Sequence, residues 1–318
     1  MLVSIAIATH NEGDLLWKTV QSCYESSDDV DLEIIVADDV STDDSVQQVR
    51  SRFPDVIIHE QTERRGVAAT KDLAAKKSRG DVLLFLDGHC KPLPGAVRQL
   101  AEDVQHTDGQ AIITPAIPAL DVATWENQMH QIGHGYILDL ETFESRFIGL
   151  NDMKEHPIAD GRTLYESPCL IGCCMAIAPD LYKKLWGFDI DMLIWGTEDV
   201  DLAVKSWLMG HPILHDAQAM IGHRFQSSFD HYTVEWEHVF VNQMRMVHKC
   251  YSDAHKQQWQ EKFRQRHENT SWDHIVELFE KGKESADRER QYLLDHRKHD
   301  EMWYVERFGL NWPEPAPA

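Results

Sequence analysis

Apolar runs and polar breaks alternate regularly along the first 115 residues. Val3 to Ala8 is apolar and β-branched and ends in the polar turn Thr9-His10-Asn11-Glu12-Gly13. Leu15, Leu16, Thr19, Val20 and Cys23 then recur at helical spacing, so the pattern predicts strand, loop, helix. Leu32 to Ala37 repeats the strand pattern, closes on Asp38-Asp39 and is followed by Ser41-Thr42-Asp43-Asp44, a good helix start. Val56 to His59 is a third short strand, after which Arg64-Arg65-Gly66-Val67-Ala68-Ala69 leads into a helix over Thr70 to Ser78. The fourth run, Val82 to Leu86, has no polar alternation at all, as in a central strand covered on both faces, and it delivers Asp87-Gly88-His89-Cys90 at its carboxyl end. Strands alternating with helices predict a doubly wound α/β fold: a mostly parallel sheet with helices on both faces.

Beyond Pro92 and Pro94 a helix is expected to about Gln105, then a strand over Ala111 to Pro115. Residues 120–165 show no clear period and read as irregular. Glu166-Ser167-Pro168 opens an apolar segment from Cys169 to Ala178, in which Gly172, Cys173 and Cys174 are small enough for backbone to approach a ligand. Core packing is the plainer role for the two cysteines. Trp195-Gly196-Thr197-Glu198-Asp199 starts another helix with acids in its first turn, where the macrodipole favours them. Ile221-Gly222-His223-Arg224-Phe225 follows. From about Phe240 glycine becomes scarce, and Trp236, Phe240, Met244 and Val247 recur at helical spacing, the signature of a helical tail packed on the preceding layer. Trp259, Phe263, Trp272, Trp303 and Trp312 read as its packing anchors. The Pro-Ala end from Pro313 reads as disordered. There is no internal repeat.

Charge narrows the partners. Lys and Arg total 31 against 53 Asp and Glu, a net charge of -22, so the field of the whole chain disfavours nucleic acid and anionic membranes, although a local basic groove stays open. No apolar run reaches the ~18 residues of a membrane span. The amino terminus begins directly with a strand pattern rather than a secretory leader. The six cysteines have neither zinc-ribbon spacing nor the density of a small secreted scaffold, which points to reduced thiols and a cytoplasmic location.

The chemistry gathers at strand ends. In open α/β sheets ligands bind at the carboxyl edge, and here that edge carries His10 and Asn11, Asp38 and Asp39, Arg64 and Arg65, and Asp87 and His89. Asp87 and His89, two apart, can offer a hard oxygen and a nitrogen to one divalent metal. The alternative is a turn-capping Asp87 and an ordinary loop histidine. No Gly-rich phosphate fingerprint follows the first strand, so phosphates bound at this edge need a metal instead.

With these residues in view the chain resembles the GT-A glycosyltransferases, Rossmann-like transferases of nucleotide-diphospho-sugars. The likeness is to the polypeptide N-acetylgalactosaminyltransferases of family 27, set on the broader family 2 pattern. It runs from about residue 3 to 232 through Thr9-His10-Asn11-Glu12, Ala37-Asp38-Asp39 with Ser41, Arg65-Gly66-Val67, Phe85 to Cys90, Ser167-Pro168 with Gly172, Ile194-Trp195-Gly196 and Gly222-His223-Arg224-Phe225. The resemblance implies a UDP-sugar donor and Mn²⁺ (or Mg²⁺) held by Asp87, His89 and His223 against its diphosphate. It also implies nucleotide contacts from His10, Asp38 or Asp39, and Lys71, where the family usually has arginine. Gly172 and Cys173 stand where the family has two sugar-touching glycines. Trp195 and residues 224–232 match a mobile loop that closes over donor, with Tyr232 meeting the diphosphate and Gln226 replacing an arginine.

Two departures shape the functional expectation. The family's carboxyl-terminal lectin domain has no counterpart among these 318 residues, so no peptide acceptor is implied. Asp199 replaces the asparagine of the retaining family, and Glu198-Asp199 resembles the acidic pair of inverting GT-A enzymes. The expectation is therefore a metal-dependent glycosyltransferase that inverts, with Asp199 as base, kept ionised by the helix dipole, and Glu198 and Trp195 beside it. Retention of the N-acetylgalactosaminyltransferase type is the competing outcome. A nucleotidyltransferase or a non-catalytic nucleotide-sugar binder is the rival from another class. The acceptor hydroxyl stays open among sugar, peptide, small metabolite and a hydroxylated nucleic-acid base. Residues 1–235 are read as the catalytic domain, with a nucleotide half over 1–115 and a sugar and acceptor half over 116–235, and residues 236–318 as the helical extension.

Overall fold

A computed structural model describes residues 1–27, 30–225, 233–267 and 271–310; Trp312 and the Pro-Ala end therefore lie outside the described residues. The first four strands, β1 (Leu2–Thr9), β2 (Asp31–Asp38), β3 (Ile57–Glu60) and β4 (Val82–Asp87), pair in the order β4-β1-β2-β3, all parallel. Between them run helices α1 (Asp14–Glu25), α2 (Ser45–Arg52) and α3 (Val67–Lys77), as the sequence periodicity predicts.

Strand alternation divides the core in two. Val3, Ile5 and Ile7 of β1 and Val82, Leu84 and Leu86 of β4 pack on Leu16, Val20 and Cys23 of α1 and Val46 and Val49 of α2. Ala6, Leu83 and Phe85 point the other way, onto Ala68, Ala74 and Ala75 of α3. Small residues on α3 let it lie close to the sheet. Both faces of β4 are thus buried, which is why its sequence shows no alternation.

Past β4 the topology becomes mixed. A three-residue strand that the sequence reading missed, β5 (Cys90–Pro92), precedes α4 (Ala96–His106). The strand expected at 111–115 extends into β6 (Ile112–Asp121), and the segment read as irregular holds β7 (Glu126–Gly133), the hairpin β8 (Gly135–Leu138) and β9 (Ser145–Ile148), then β10 (Lys154–Pro157) and β11 (Thr163–Glu166). Then follow β12 (Cys174–Ile177), α5 (Pro179–Lys184), α6 (Glu198–Leu208) and β13 (Ile213–His223). The main sheet runs β10-β11-β13-β6-β12-β4-β1-β2-β3, with β7 on β6 and β5 on β13. The antiparallel β5–β13 pairing sets His223 opposite Cys90, beside the end of β4.

The tail is helical as expected: α7 (Trp236–Cys250), α8 (Asp253–Arg266), α9 (Trp272–Lys281), α10 (Lys283–His296) and α11 (Glu301–Arg307). Trp259 and Phe263 are buried in the α3-side core, and Trp272 and Trp303 pack against it. No described helix is long and apolar enough to cross a membrane.

A buried ionic group fastens this tail to α6. Lys205 meets Asp201 at 2.9 Å and Glu289 at 2.5 Å, Lys249 meets Asp189 at 2.7 Å and Asp201 at 2.8 Å, and Arg245 grips Asp189 through Nε and Nη2 at 2.9 and 2.7 Å. All six side chains are almost fully buried, and the three cations balance the three carboxylates.

A second buried pair makes stability depend on pH. Asp103 of α4 and Asp216 of β13 share Arg162, and burial together with a hydrogen bond to Asp216 pushes the Asp103 carboxyl up to about 8. A carboxyl raised in the folded state contributes stability present below its unfolded value near 3.8 and lost as pH rises through about 8. Asp103→Asn, which mimics the protonated form, is therefore expected to flatten the fall in thermal stability between pH 4 and 8. Parallel melting curves in wild type and variant would contradict this.

Candidate active site

The carboxyl ends of β1, β2 and β4 open into a cleft of about 530 Å³, closed on the far side by the β8–β9 hairpin, the start of α6 and the end of β13. At its floor, Asp87, His89 and His223 offer one ligand atom each, all within 4.8 Å of one another. The two Nε2 atoms stand 3.1 Å apart, and His223 Nε2 is 3.7 Å from Asp87 Oδ2. Each of these side chains keeps some exposure, on the cleft side.

The donor set suits a divalent cation. His89 donates Nδ1–H to both carboxylate oxygens of Glu12, at 3.0 and 2.9 Å, which turns Nε2 toward the other two donors. Gly88 makes room for this, since a Cβ there would sit 2.9 Å from Glu12 Cγ. Two imidazoles and one carboxylate favour Mn²⁺ over Mg²⁺, which prefers an all-oxygen shell. Burial works against the ionised Asp87, but the Lys71 ammonium at 3.3 Å holds its carboxyl well below the usual range. Burial lowers His223, whereas for His89 burial is opposed by the Glu12 and Asp87 carboxylates, which together outweigh it and raise the imidazole.

Glu12 lay within a motif noted in the sequence but had no role there. Its arrangement predicts that Glu12→Gln weakens Mn²⁺ binding by roughly 10–100-fold, read by electron paramagnetic resonance of free Mn²⁺. Unchanged affinity would mean that His89 needs no orienting partner.

On the β1–β2 side of the cleft, His10 donates Nδ1–H to the Asp39 carbonyl at 2.8 Å, and the Asp39 carboxylate accepts from the amides of Arg65 and Gly66 at 2.7 and 3.0 Å and forms an ion pair with Arg64 at 3.0 Å. Asp39 therefore ties the end of β2 to the loop before α3. Asp38 lies behind that wall, its carboxylate accepting from Ser41 N–H, and does not line the cleft. Lys71 is fully buried and donates to the Gly172 carbonyl at 2.8 Å, with Glu198 at 3.4 Å as well as Asp87. Its charge thus bridges the metal-side and helix-side carboxylates.

At the opposite wall α6 begins after Thr197, whose φ is 75°. Asp199 Oδ2 accepts from Tyr136 O–H and from Gly172 N–H, each at 3.1 Å, and Oδ1 accepts from Val200 N–H. Gly172 is required for this approach, because a Cβ there would lie 2.9 Å from Asp199 Oδ2. Cys173 follows in the wall, and its carbonyl accepts Asp87 N–H at 3.0 Å. Burial raises the Asp199 carboxyl, and it pushes Glu198 up to about 7 against the pull of Lys71. The sequence expectation that the helix dipole keeps Asp199 ionised thus meets a larger opposing effect, desolvation. Tyr136, which no sequence signal singled out, comes from the hairpin. Trp195 lines the cleft, with exposed Phe147 and Phe225 among its other lining residues. Tyr232 and Gln226, expected in a closing loop, lie outside the described residues.

The glycosyl transferase family 2 profile matches residues 4–186, more than half of the chain. The chain belongs to glycosyl transferase family 2. Within that family's wider kin it is similar to human polypeptide N-acetylgalactosaminyltransferase 3, 27% identical over 314 residues that cover 95% of this chain and 48% of that protein. Polypeptide N-acetylgalactosaminyltransferase 8 of Drosophila melanogaster is 28% identical over 231 residues, covering 70% of this chain and 38% of the relative. The chain thus spans about half, or less, of the length of these curated relatives. Among solved structures, GalNAc-T7 with UDP, GalNAc and Mn²⁺ superposes with a TM-score of 0.71 at 19% identity, over 97% of this chain and 56% of that one. S. aureus TarS 1-349 in complex with UDP-GlcNAc gives 0.51 at 16% identity, over 85% and 74%. At these identities the two structures establish the GT-A fold.

Proposed function

We propose that this chain transfers a sugar from a UDP-sugar to an acceptor hydroxyl with inversion at the anomeric carbon. The observation that carries the reading is the pairing, across one cleft, of a metal-competent Asp87-His89-His223 triad with a hydrogen-bonded carboxylate, Asp199. A divalent cation bound there neutralises the charge that develops on the leaving diphosphate. His10 and the Asp39 wall take the nucleotide, and Gly172 with Cys173 shapes the sugar pocket. Asp199 removes the acceptor proton as the acceptor oxygen bonds to the anomeric carbon and the bond to diphosphate breaks on the other face. A carboxyl raised by burial is the stronger base for that task. Residues 1–115 serve as the nucleotide half, 116–235 as the sugar and acceptor half, and 236–318 as a helical extension. Six buried, unpaired thiols support a reducing, cytoplasmic setting.

Retention is the second reading. It is favoured by the likeness to the N-acetylgalactosaminyltransferases and by the three hydrogen bonds that already occupy Asp199, which would then position rather than take a proton. A panel of UDP-sugars with and without Mn²⁺, read by UDP release, tests the transferase assignment. No release from any donor, with UDP nevertheless bound, would make the protein a binder instead.

A further inference from the structure

The segment between α5 and α6 carries Trp195 into the cleft and sets where Glu198 and Asp199 begin, yet its backbone is under strain. Ile194 has φ 32°, Gly196 96° and Thr197 75°. A β-branched residue at positive φ is an outlier that costs ~1–3 kcal/mol and persists only where its surroundings over-determine it. The surroundings here come from two sides. From the nucleotide half, Val67 N–H donates to the Ile194 carbonyl at 2.8 Å, and Gly66 lies so close that a Cβ would stand 2.5 Å from Ile194 Cα. From the tail, Val239 of α7 packs beside Gly196 and one polar side chain of the same helix holds the backbone. Asn242, 1% exposed, accepts Leu193 N–H at 2.7 Å through Oδ1 and donates through Nδ2 to the carbonyls of Leu193 at 2.8 Å, Gly196 at 2.9 Å and Trp195 at 3.2 Å.

We propose that Asn242 is the positioning residue through which the helical tail presets the catalytic wall, holding residues 193–196 so that α6 starts with Asp199 beside Gly172. The proposal rests on the transferase reading above. It gives the extension a task in the reaction, and it fixes the Trp195 backbone in place. An amide is the only side chain that satisfies this set at this length: it must accept once and donate to several carbonyls from one planar group. Asp87 ends β4, His223 ends β13 and His89 lies in the turn between β4 and β5, so none of the metal triad is on the clamped segment.

Two measurements test this. In the wild-type protein without donor, hydrogen exchange resolved to Leu193 should show that amide protected to the level of the most stable core amides. Fast exchange at Leu193 would overturn the proposal whatever the chain transfers. In variants, Asn242→Ala and Asn242→Asp should lower kcat for UDP release by roughly 10–100-fold, the aspartate more because it faces the carbonyls with a second acceptor. The dissociation constants for Mn²⁺ and UDP should stay within about threefold. Val247→Ala, a cavity in the same helix away from the clamp, should lose thermal stability and keep kcat below its melting temperature. Wild-type turnover with undiminished kcat in both Asn242 variants would overturn the clamp while leaving the transferase reading intact. Equal losses of kcat and of Mn²⁺ and UDP binding would overturn it too, by showing a general structural role. Absence of turnover in the wild type would count against the transferase reading, and the exchange result would still judge the clamp.

Discussion

Asp87→Asn is expected to remove nearly all Mn²⁺-supported turnover while leaving the fold in place. The change removes one of three donors and the only negative charge among them, with almost no change in volume. A metal's stabilisation of a leaving diphosphate amounts to several kcal/mol, so the loss should be roughly 10²–10⁴-fold in rate. Lys71 loses a counter-charge but keeps the Gly172 carbonyl at 2.8 Å and Glu198 at 3.4 Å, which should limit the cost in stability. Circular dichroism together with Mn²⁺ binding by paramagnetic resonance separates the two effects. Full activity of the variant, or of the wild type in excess chelator, would remove the metal from the mechanism.

Asp199→Asn comes next in expected size and decides the stereochemical course. An asparagine with its oxygen at the Oδ2 position still accepts Gly172 N–H and Tyr136 O–H and gives up only the bond from Val200 N–H, so most of the geometry is kept while the base is lost. Loss of a general base typically costs ~10²–10⁴-fold in turnover with less effect on donor binding. Because burial raises the Asp199 carboxyl, wild-type turnover should climb with pH through that raised value, as the base must be ionised to act. The variant's residual rate should lose this acid limb. NMR of the wild-type product should show the anomeric configuration opposite to the donor's. A retained configuration with a nearly active Asn variant would assign Asp199 a positioning role instead.

The parts of this site that the sequence displayed share one property: each sits at the end of an element whose burial imposes a pattern. Asp87 follows a strand buried on both faces, and His10 and Asp39 follow strands of the same kind. Tyr136 was invisible because its hairpin lies in a region where strands such as β7 are largely exposed and show no alternation. Glu12 could be read as a loop acid but not as a partner for His89, since only the fold brings residues 77 positions apart together. Asn242 looks like an ordinary polar position on a helix; its meaning lies in a loop 46 to 49 residues upstream. Asp38 and Asp39 are adjacent and chemically identical, yet Asp39, in the bend just past β2, lines the cleft while Asp38, the last residue of the strand, lies behind it.

The balanced group of Lys205, Lys249 and Arg245 with Asp189, Asp201 and Glu289 also bears on the order in which the chain matures. When residues 1–235 have left the ribosome, Asp201 has Lys205 beside it, but Asp189 lacks both of its cations, Arg245 and Lys249, so two carboxylates stand against one ammonium. Burying that unbalanced set costs several kcal/mol, comparable to the whole margin of a folded domain. The sheet can assemble early, from the amino terminus onward. The ionic group behind α6, the helix that begins with Glu198 and Asp199, is complete only once Glu289 has been added.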